Sequence, residues 1–202
     1  MSKQKKTKIV IGVTGSVACG KSTVARLFKT RDCELIDADS LAHDAISRGG
    51  AVYKKIVSFF GKGILKKNKN IDRGKLAGIV FVNKAALEKL NRIVHPAVIK
   101  EISRRIRNSA KKIIILDAPL IIEAGVRSLV DKLVVVTASR GQQFSRAKSK
   151  LSLCIEQVNR RIKSQISQNA KSRFANFIID NSGTINKTRK QVSEIRRKLW
   201  KS

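Results

Sequence analysis

Eight residues near the N-terminus, Gly15-Ser16-Val17-Ala18-Cys19-Gly20-Lys21-Ser22, match the pattern G-x-x-x-x-G-K-[ST], and nothing else in the chain restricts its fold as strongly. The pattern needs a strand before it and a helix after it. Both are present: Ile9–Thr14 is an apolar, β-branched run, and Thr23–Phe28 carries apolar residues at helical spacing. Gly15 and Gly20 permit backbone angles that turn successive N–H groups toward one anion, and the helix N-terminus adds its partial positive charge. Lys21 reaches the β- and γ-phosphates of a nucleotide in such a loop, and the Ser22 hydroxyl suits a magnesium ligand. Ala18, Cys19, Gly20, Lys21, Ser22 and Thr23 are therefore expected to bind ATP. ATPases, GTPases and small-molecule kinases all use this loop, so the acceptor must be read elsewhere.

The rest of the chain supplies a sheet to carry it. Five short β-branched runs, Lys8–Thr14, Glu34–Ala38, Ile113–Ala118, Leu133–Thr137 and Asn176–Asp180, are separated by stretches of helical character. Near-continuous apolar runs such as Ile113-Ile114-Ile115-Leu116 suit strands covered on both faces. The expected fold is α/β, a five-stranded parallel sheet wrapped by helices. The gap between the second and third runs is too long for one crossover helix and reads as an inserted helical subdomain. In it, Phe60-Gly61 and Lys66–Asn70 read as loop. Lys84–Leu90 and Pro96–Arg107 read as two helices, the second opening at Pro96, where a missing N–H is tolerated. Arg140 to Arg173 is polar and basic, with Glu156 its only acid. That composition fits either a helical lid over an anion or a solvated helix pair.

A length of 202 residues allows one sizeable core. Lys and Arg total 44 against 14 Asp and Glu, a net charge of +30, which attracts polyanions and makes nucleic acid a rival partner. The basic residues are spread along the chain, however, and only 4% of residues are aromatic, so stacking platforms for bases are scarce. Cys19, Cys33 and Cys154 form no CxxC pair, and His43 and His95 are the only histidines. Neither a structural zinc nor a disulfide framework is expected, which points to the cytoplasm. The basic start from Met1 followed by Ile9–Val13 superficially resembles an export signal, but the apolar run is too short for one. No stretch reaches the roughly 18 apolar residues of a membrane span.

Carboxylates cluster where strands end, the edge at which open α/β sheets bind ligands. Asp37 and Asp39 flank Ala38 and are expected to project from one face of the second strand. Asp39, nearer the mouth, suits a base that takes the proton of an attacking hydroxyl; the competing reading is a helix N-cap. Asp117 ends the third strand and suits water-mediated magnesium binding, orientation of the acceptor, or simple pairing with a cation. His95-Pro96 reads first as a helix-start turn.

Taken together, Ile11–Gly15, Ile36-Asp37-Ala38-Asp39, Phe60-Gly61, Ile71-Asp72-Arg73, Leu90-Asn91 with His95-Pro96, Asp117-Ala118-Pro119-Leu120 with Glu123, Gln165, and Ile179–Gly183 resemble the dephospho-coenzyme A kinases. The likeness runs in order from Ile9 to about Leu199. It implies a P-loop core (8–43, 108–138 and 174–202), a coenzyme-A-binding helical insertion at about 44–107 and a lid at about 139–173. It further implies transfer of the ATP γ-phosphate, with Mg2+, to the ribose 3′-hydroxyl of dephospho-coenzyme A. By position, Asp39 becomes the base, Lys21 and Arg146 stabilise the transferring phosphoryl group, Asn181 lies near adenine, and Asp39, His95 and Asp117 contact the acceptor.

The sequence departs from the family pattern at Ser16, where Gly is usual, and at His43, where another basic residue is usual. It departs again at Asn176, where Asp is usual, and at Lys150, which replaces the second Arg of an R-x-x-x-R spacing begun by Arg146. Cys19 brings a thiol among phosphate-binding amides, a setting that can lower a thiol's pKa and favour alkylation, and the sequence leaves its reactivity open. A nucleoside or nucleotide monophosphate kinase is the alternative on the same scaffold. A basic nucleic-acid-binding ATPase is the alternative of another class.

Overall fold

The computed structural model describes residues 8–151 and 154–200, the side chains of Lys150 and Leu151 excepted. The basic start at 1–7 therefore lies outside the described residues. In chain order the elements are β1 (Ile9–Gly15), α1 (Lys21–Phe28), β2 (Cys33–Asp37), α2 (Ala38–Ala45), α3 (Ala51–Phe60), α4 (Arg73–Val80), α5 (Lys84–Asn108), β3 (Ile113–Asp117), β4 (Lys132–Thr137), α6 (Arg140–Leu151), α7 (Ile155–Lys163), α8 (Gln168–Ser172), β5 (Phe177–Asp180) and α9 (Ile185–Trp200). Two compact units divide them. One runs up to Asp37 and resumes at Ile106; the other is Ala38–Arg105.

The first unit is an α/β layer. Its five strands are all parallel, in the order β2-β3-β1-β4-β5. β1 sits at the centre, with Val13 opposite both Asp117 of β3 and Val134 of β4. Strands β3 and β4 leave β1 on opposite sides, so the chain changes direction across the sheet at the C-terminal end of β1. That crevice is where such sheets bind ligands. Ile11, Val13, Ile115, Val134 and Val136 are buried and pack with Val24, Ala25 and Phe28 of α1 and Val192 and Ile195 of α9. Burying Phe28 alone is worth roughly 1.5–3 kcal/mol. The core therefore holds α1, and with it the loop that precedes it, against the sheet.

The second unit is helical. Ile56, Ile64, Ile71, Leu76, Val80 and Ala86 form its own apolar centre. Asp72 caps α4 by accepting hydrogen bonds from the Gly74 and Lys75 amides at 2.9 and 3.1 Å.

Two local expectations are corrected. The segments around Pro96 form one helix, α5, of 25 residues with Pro96 inside it; His95 is therefore mid-helix and half-buried, not part of a helix-start turn. A central proline costs about 3 kcal/mol in an isolated helix. Here Val98 and Ile102 are buried beyond it, and Pro96 and Arg92 are both exposed, so packing carries the helix through. Likewise α2 starts at Ala38 directly from β2. Asp39 thus neither continues the strand beside Asp37 nor caps the helix: it stands exposed in the first turn, where an acid is favoured by the helix dipole.

Candidate active site

The loop between β1 and α1 is shaped by close approach. A Cβ on Gly15 would lie 2.5 Å from both Cys19 Sγ and the Val136 carbonyl oxygen, so no other residue fits there. Ala18 takes the left-handed region at φ 56° and Gly20 at φ 88°. The turn closes through Cys19 N–H donating to the Ser16 carbonyl at 3.3 Å, and α1 begins with Val24 N–H donating to Gly20 at 3.1 Å. Ser22 and Thr23 follow Lys21 in the first turn of α1, half-buried.

Lys21 turns back toward the sheet. Its Nζ donates to Asp117 Oδ1 at 2.5 Å, with the two side chains 10% and 2% exposed. Of the readings open for Asp117, the structure places it on the loop's own lysine. Asp37 pairs in register with Asp117 on the neighbouring strand, so two carboxylates end adjacent strands.

The opposite side of the loop is tied to the segment expected as a lid. From α6, Arg146 donates through Nη1 to the Cys19 carbonyl at 3.3 Å and through Nη2 to the Asn181 carbonyl at 2.8 Å. Asn181, just after β5, donates through Nδ2 to the same Cys19 carbonyl at 2.8 Å and accepts at Oδ1 from the Thr188 hydroxyl at 2.8 Å. Lys21, Cys19, Gly20, Arg146, Asn181 and Asp117 are thus brought together in one unit. Asp39 and His95 belong to the helical unit.

Cys19 does not behave as its position in the loop suggested. Its side chain is fully buried in the core, and burial pushes the thiol up from 9.0 to about 11 against the opposing pull of the Lys21 amide and charge. The sequence leaves the reactivity of this thiol open; burial decides it against a low-pKa, alkylation-prone group, because desolvation outweighs the loop's positive field.

Among the described residues no group of three or more His, Cys, Asp or Glu side chains is arranged to hold a metal ion. The loop and the first turn of α1 offer neutral hydroxyls, that of Ser22 beside those of Ser16 and Thr23, and β3 ends on the Asp117 carboxylate. That set fits magnesium, which keeps several waters and shares substrate phosphates instead of needing a protein cage.

The family model described as dephospho-CoA kinase matches residues 9–187. The chain belongs to the dephospho-CoA kinase family. It is 40% identical over 195 residues to the dephospho-CoA kinase of Carboxydothermus hydrogenoformans, covering 95% of this chain and 94% of that one. It is 43% identical over 190 residues to that of Aquifex aeolicus, covering 94% and 96%. The solved structure of the Campylobacter jejuni dephospho-CoA kinase superposes with a TM-score of 0.67 at 30% identity, covering 95% of this chain and 97% of that one.

Several departures from the dephospho-CoA kinase pattern now have physical accounts. Ser16 is not among the non-glycine residues at positive φ, so nothing in its backbone demands glycine. Asn176 pairs β5 with β4: its N–H donates to the Leu133 carbonyl at 2.9 Å and its Oδ1 accepts from Leu133 N–H at 2.8 Å. At this exposed position an amide oxygen accepts the Leu133 N–H as a carboxylate oxygen would, so the strand pairing is kept without the charge. The side chain of Lys150 lies outside the described residues.

One residue of the site was not legible in the sequence. Lys171 on α8 is wholly buried; its Nζ donates to the Pro119 carbonyl at 2.7 Å and pairs with Glu123 Oε1 at 2.9 Å. The Thr14 hydroxyl donates to the same Pro119 carbonyl at 3.0 Å. Lys171 thereby fixes the turn that follows Asp117. Nothing in a segment crowded with cations singles it out; Glu123, its partner, was the available signal.

Proposed function

We propose that this chain transfers the γ-phosphate of ATP to the ribose 3′-hydroxyl of dephospho-coenzyme A, giving coenzyme A and ADP. The observation that carries the reading is the buried Lys21–Asp117 pair at the C-terminal edge of the sheet, in a chain of this family. Asp117 holds the ammonium at the loop where phosphate oxygens compete for it, so the charge is in place before the reaction and needs no reorganisation. In this reading Asp117 acts through Lys21 as a positioning residue.

The acceptor hydroxyl oxygen attacks the γ-phosphorus; the new O–P bond forms as the bond to the β-phosphate oxygen breaks, and that electron pair leaves on ADP. Asp39 takes the hydroxyl proton. Lys21 and Arg146 spread the charge of the transferring group. The amides from Ala18 to Thr23 bind the nucleotide phosphates, Asn181 lies near adenine, and His95 contacts the acceptor. Ser22 would hold magnesium, which when bound neutralises charge on the phosphate oxygens. The segment at about 139–173, to which Arg146 belongs, serves as the lid that excludes water. The proposed compartment is the cytoplasm, where ATP and free thiols such as Cys19, Cys33 and Cys154 coexist.

The test is a coupled assay of ADP release at about 0.15 M salt, with magnesium-ATP and dephospho-coenzyme A, adenosine, AMP, CMP or RNA as acceptor. Turnover confined to dephospho-coenzyme A, with the product phosphorylated on the ribose, supports the reading. Turnover with a nucleoside or monophosphate moves the substrate, and stimulation by RNA alone overturns it.

A further inference from the structure

Asn181 has every one of its polar groups engaged. Its backbone N–H donates to the Thr137 carbonyl at 2.8 Å, and its backbone carbonyl accepts from Arg146 Nη2 at 2.8 Å. In the side chain, Nδ2 donates to the Cys19 carbonyl at 2.8 Å and Oδ1 accepts from the Thr188 hydroxyl at 2.8 Å. Thr188, in the first turn of α9, is wholly buried and Asn181 is 5% exposed, so water does not compete for these bonds.

The orientation of the amide follows from its two neighbours. A carbonyl only accepts, so Asn181 must turn Nδ2 to Cys19, and that leaves Oδ1 facing α9 as a buried acceptor. Thr188 supplies the donor. Its single hydroxyl proton belongs to Oδ1, because the other acceptor in reach, the Thr184 carbonyl, lies at 3.4 Å. Without the hydroxyl, Oδ1 is stranded in a dry site, a cost that the side chain escapes by swinging away and releasing the Cys19 carbonyl.

What this arrangement holds in place is one peptide unit of the loop. The Cys19–Gly20 peptide is trans, so its C=O and the Gly20 N–H point in opposite directions. Asn181 Nδ2, with Arg146 Nη1 at 3.3 Å on the same oxygen, therefore aims the Gly20 N–H to the other side. Gly20 takes φ 88°, a region that glycine enters about as readily as its mirror image, and the loop's own sequence does not fix this peptide. Two donors on the carbonyl also polarise the peptide and strengthen its N–H as a donor.

We infer that Thr188 is a positioning residue for nucleotide binding: through Asn181 it locks the Cys19–Gly20 peptide so that the Gly20 N–H is presented to a phosphate oxygen in advance. This deepens the functional reading above, and rests on it only in taking the loop as the nucleotide site. It gives α9 a part in binding beyond its packing against α1 and the sheet.

The experiment uses the full chain with Thr188→Ser, Thr188→Ala and Thr188→Val, and with Ser193→Ala, an exposed position of the same helix, as control. Ser and Ala differ only by the hydroxyl oxygen, and Val keeps the shape of Thr. Thr188→Ala and Thr188→Val should weaken magnesium-ATP binding in a calorimetric titration about tenfold and raise the KM for ATP to match. The KM for dephospho-coenzyme A should stay within about twofold, as should every constant of Thr188→Ser and Ser193→Ala. In an amide 1H–15N spectrum, the Gly20 signal should be single in the wild type and in Thr188→Ser, and split or broadened in the other two as the peptide samples both orientations. A purely structural role lowers the melting temperature and leaves both readouts unmoved below it.

Thr188→Ala and Thr188→Val proteins that bind ATP within twofold and keep a single Gly20 signal would overturn the lock. So would a Thr188→Ser protein that loses as much as Thr188→Ala, or an equal loss in Ser193→Ala. Should Thr188→Val not fold, the Ser and Ala variants decide alone. A wild type that binds ATP but does not phosphorylate dephospho-coenzyme A, with ATP binding still weakened in Thr188→Ala, would overturn the functional reading and leave Thr188 in its role.

Discussion

Lys21 Nζ and Asp117 Oδ1 meet at 2.5 Å, 96 residues apart in sequence and all but closed to solvent. Withdrawing two charges from water costs several kcal/mol each, and their mutual attraction roughly offsets it. The pair is therefore a weak source of net stability but a strong constraint on position. It joins the loop after β1 to the end of β3, the two neighbouring strands at the sheet's centre.

Breaking the pair from one side should separate catalysis from stability. Lys21→Ala leaves Asp117 buried and uncompensated, a loss of about 3–5 kcal/mol, and should reduce turnover by orders of magnitude. Asp117→Asn keeps the shape and removes the charge; kcat/KM for ATP should fall while the denaturant midpoint drops less than in Lys21→Ala. The double variant Lys21→Met with Asp117→Asn should recover stability and no activity. Denaturation midpoints and ADP-release kinetics on the three proteins check this. A Lys21→Ala enzyme retaining more than about a tenth of the wild-type rate removes Lys21 from the mechanism.

What could be read beforehand follows from which signals are local. All five strands were legible because parallel strands buried on both faces need β-branched runs; the found limits differ from the expected ones by one residue at one end for β3, β4 and β5 and by one residue at both ends for β1 and β2. The loop was legible for the same reason: its glycines answer to backbone geometry within a few residues. Pro96 misled because its rule is local while the forces that keep α5 continuous, the burial of Val98 and Ile102, are tertiary. The reactivity of the Cys19 thiol could not be read for the same reason, since burial decides its chemistry and the sequence shows only the cations nearby. Arg146 and Asn181 were marked by resemblance alone; their convergence on one carbonyl, that of Cys19, has no local trace.

Gly20 is where that convergence is most sensitive. It takes φ 88°, and a Cβ there would lie 2.1 Å from Asn181 Nδ2. Gly20→Ala must move the amide that bonds the Cys19 carbonyl and pay backbone strain of about 1–3 kcal/mol. ATP affinity should fall with stability. Gly141 on α6 is the control, since nothing lies within 4 Å of its added Cβ; Gly141→Ala should be neutral or stabilise by about 0.5–1 kcal/mol. Thermal melts and nucleotide titrations of both variants decide it, and a Gly20→Ala protein that binds ATP normally contradicts the geometry.

The thiols should label in a fixed order. Cys154 is exposed while Cys19 and Cys33 are buried, and a Cys19 pKa of about 11 leaves about one thiolate in a thousand at pH 8. A maleimide should modify Cys154 within minutes and spare Cys19 until the protein unfolds, as peptide mass spectrometry would show. The sign of the pH effect follows from the raised value. The folded state holds the Cys19 proton more tightly than the unfolded chain at 9.0, so this contribution to stability is complete below about pH 9 and is lost as pH rises toward 11. Rapid labelling of Cys19 in the folded protein would mean that the loop opens.

Lys171 tests whether the turn after Asp117 needs its buried ammonium. The side chain is 0% exposed and its partner Glu123 17%; Glu123 Oε1 also accepts from Ile166 N–H at 3.2 Å, and Oε2 has no partner among the described groups. Lys171→Met should therefore strand a carboxylate that is already under-satisfied, at about 3–5 kcal/mol. Glu123→Gln should cost less, because Lys171 keeps the Pro119 carbonyl. If the two act as a pair, the double variant is more stable than the sum of the single losses, with a coupling above about 1 kcal/mol. Because the Pro119 carbonyl also receives the Thr14 hydroxyl, loss of Lys171 loosens the end of β3 that carries Asp117. The same variant should then lower kcat/KM for ATP at temperatures well below its melting point. Unfolding curves and initial rates measured together separate the outcomes: stability lost with the rate unchanged confines Lys171 to the core, whereas a fall in both places it behind Asp117 and Lys21.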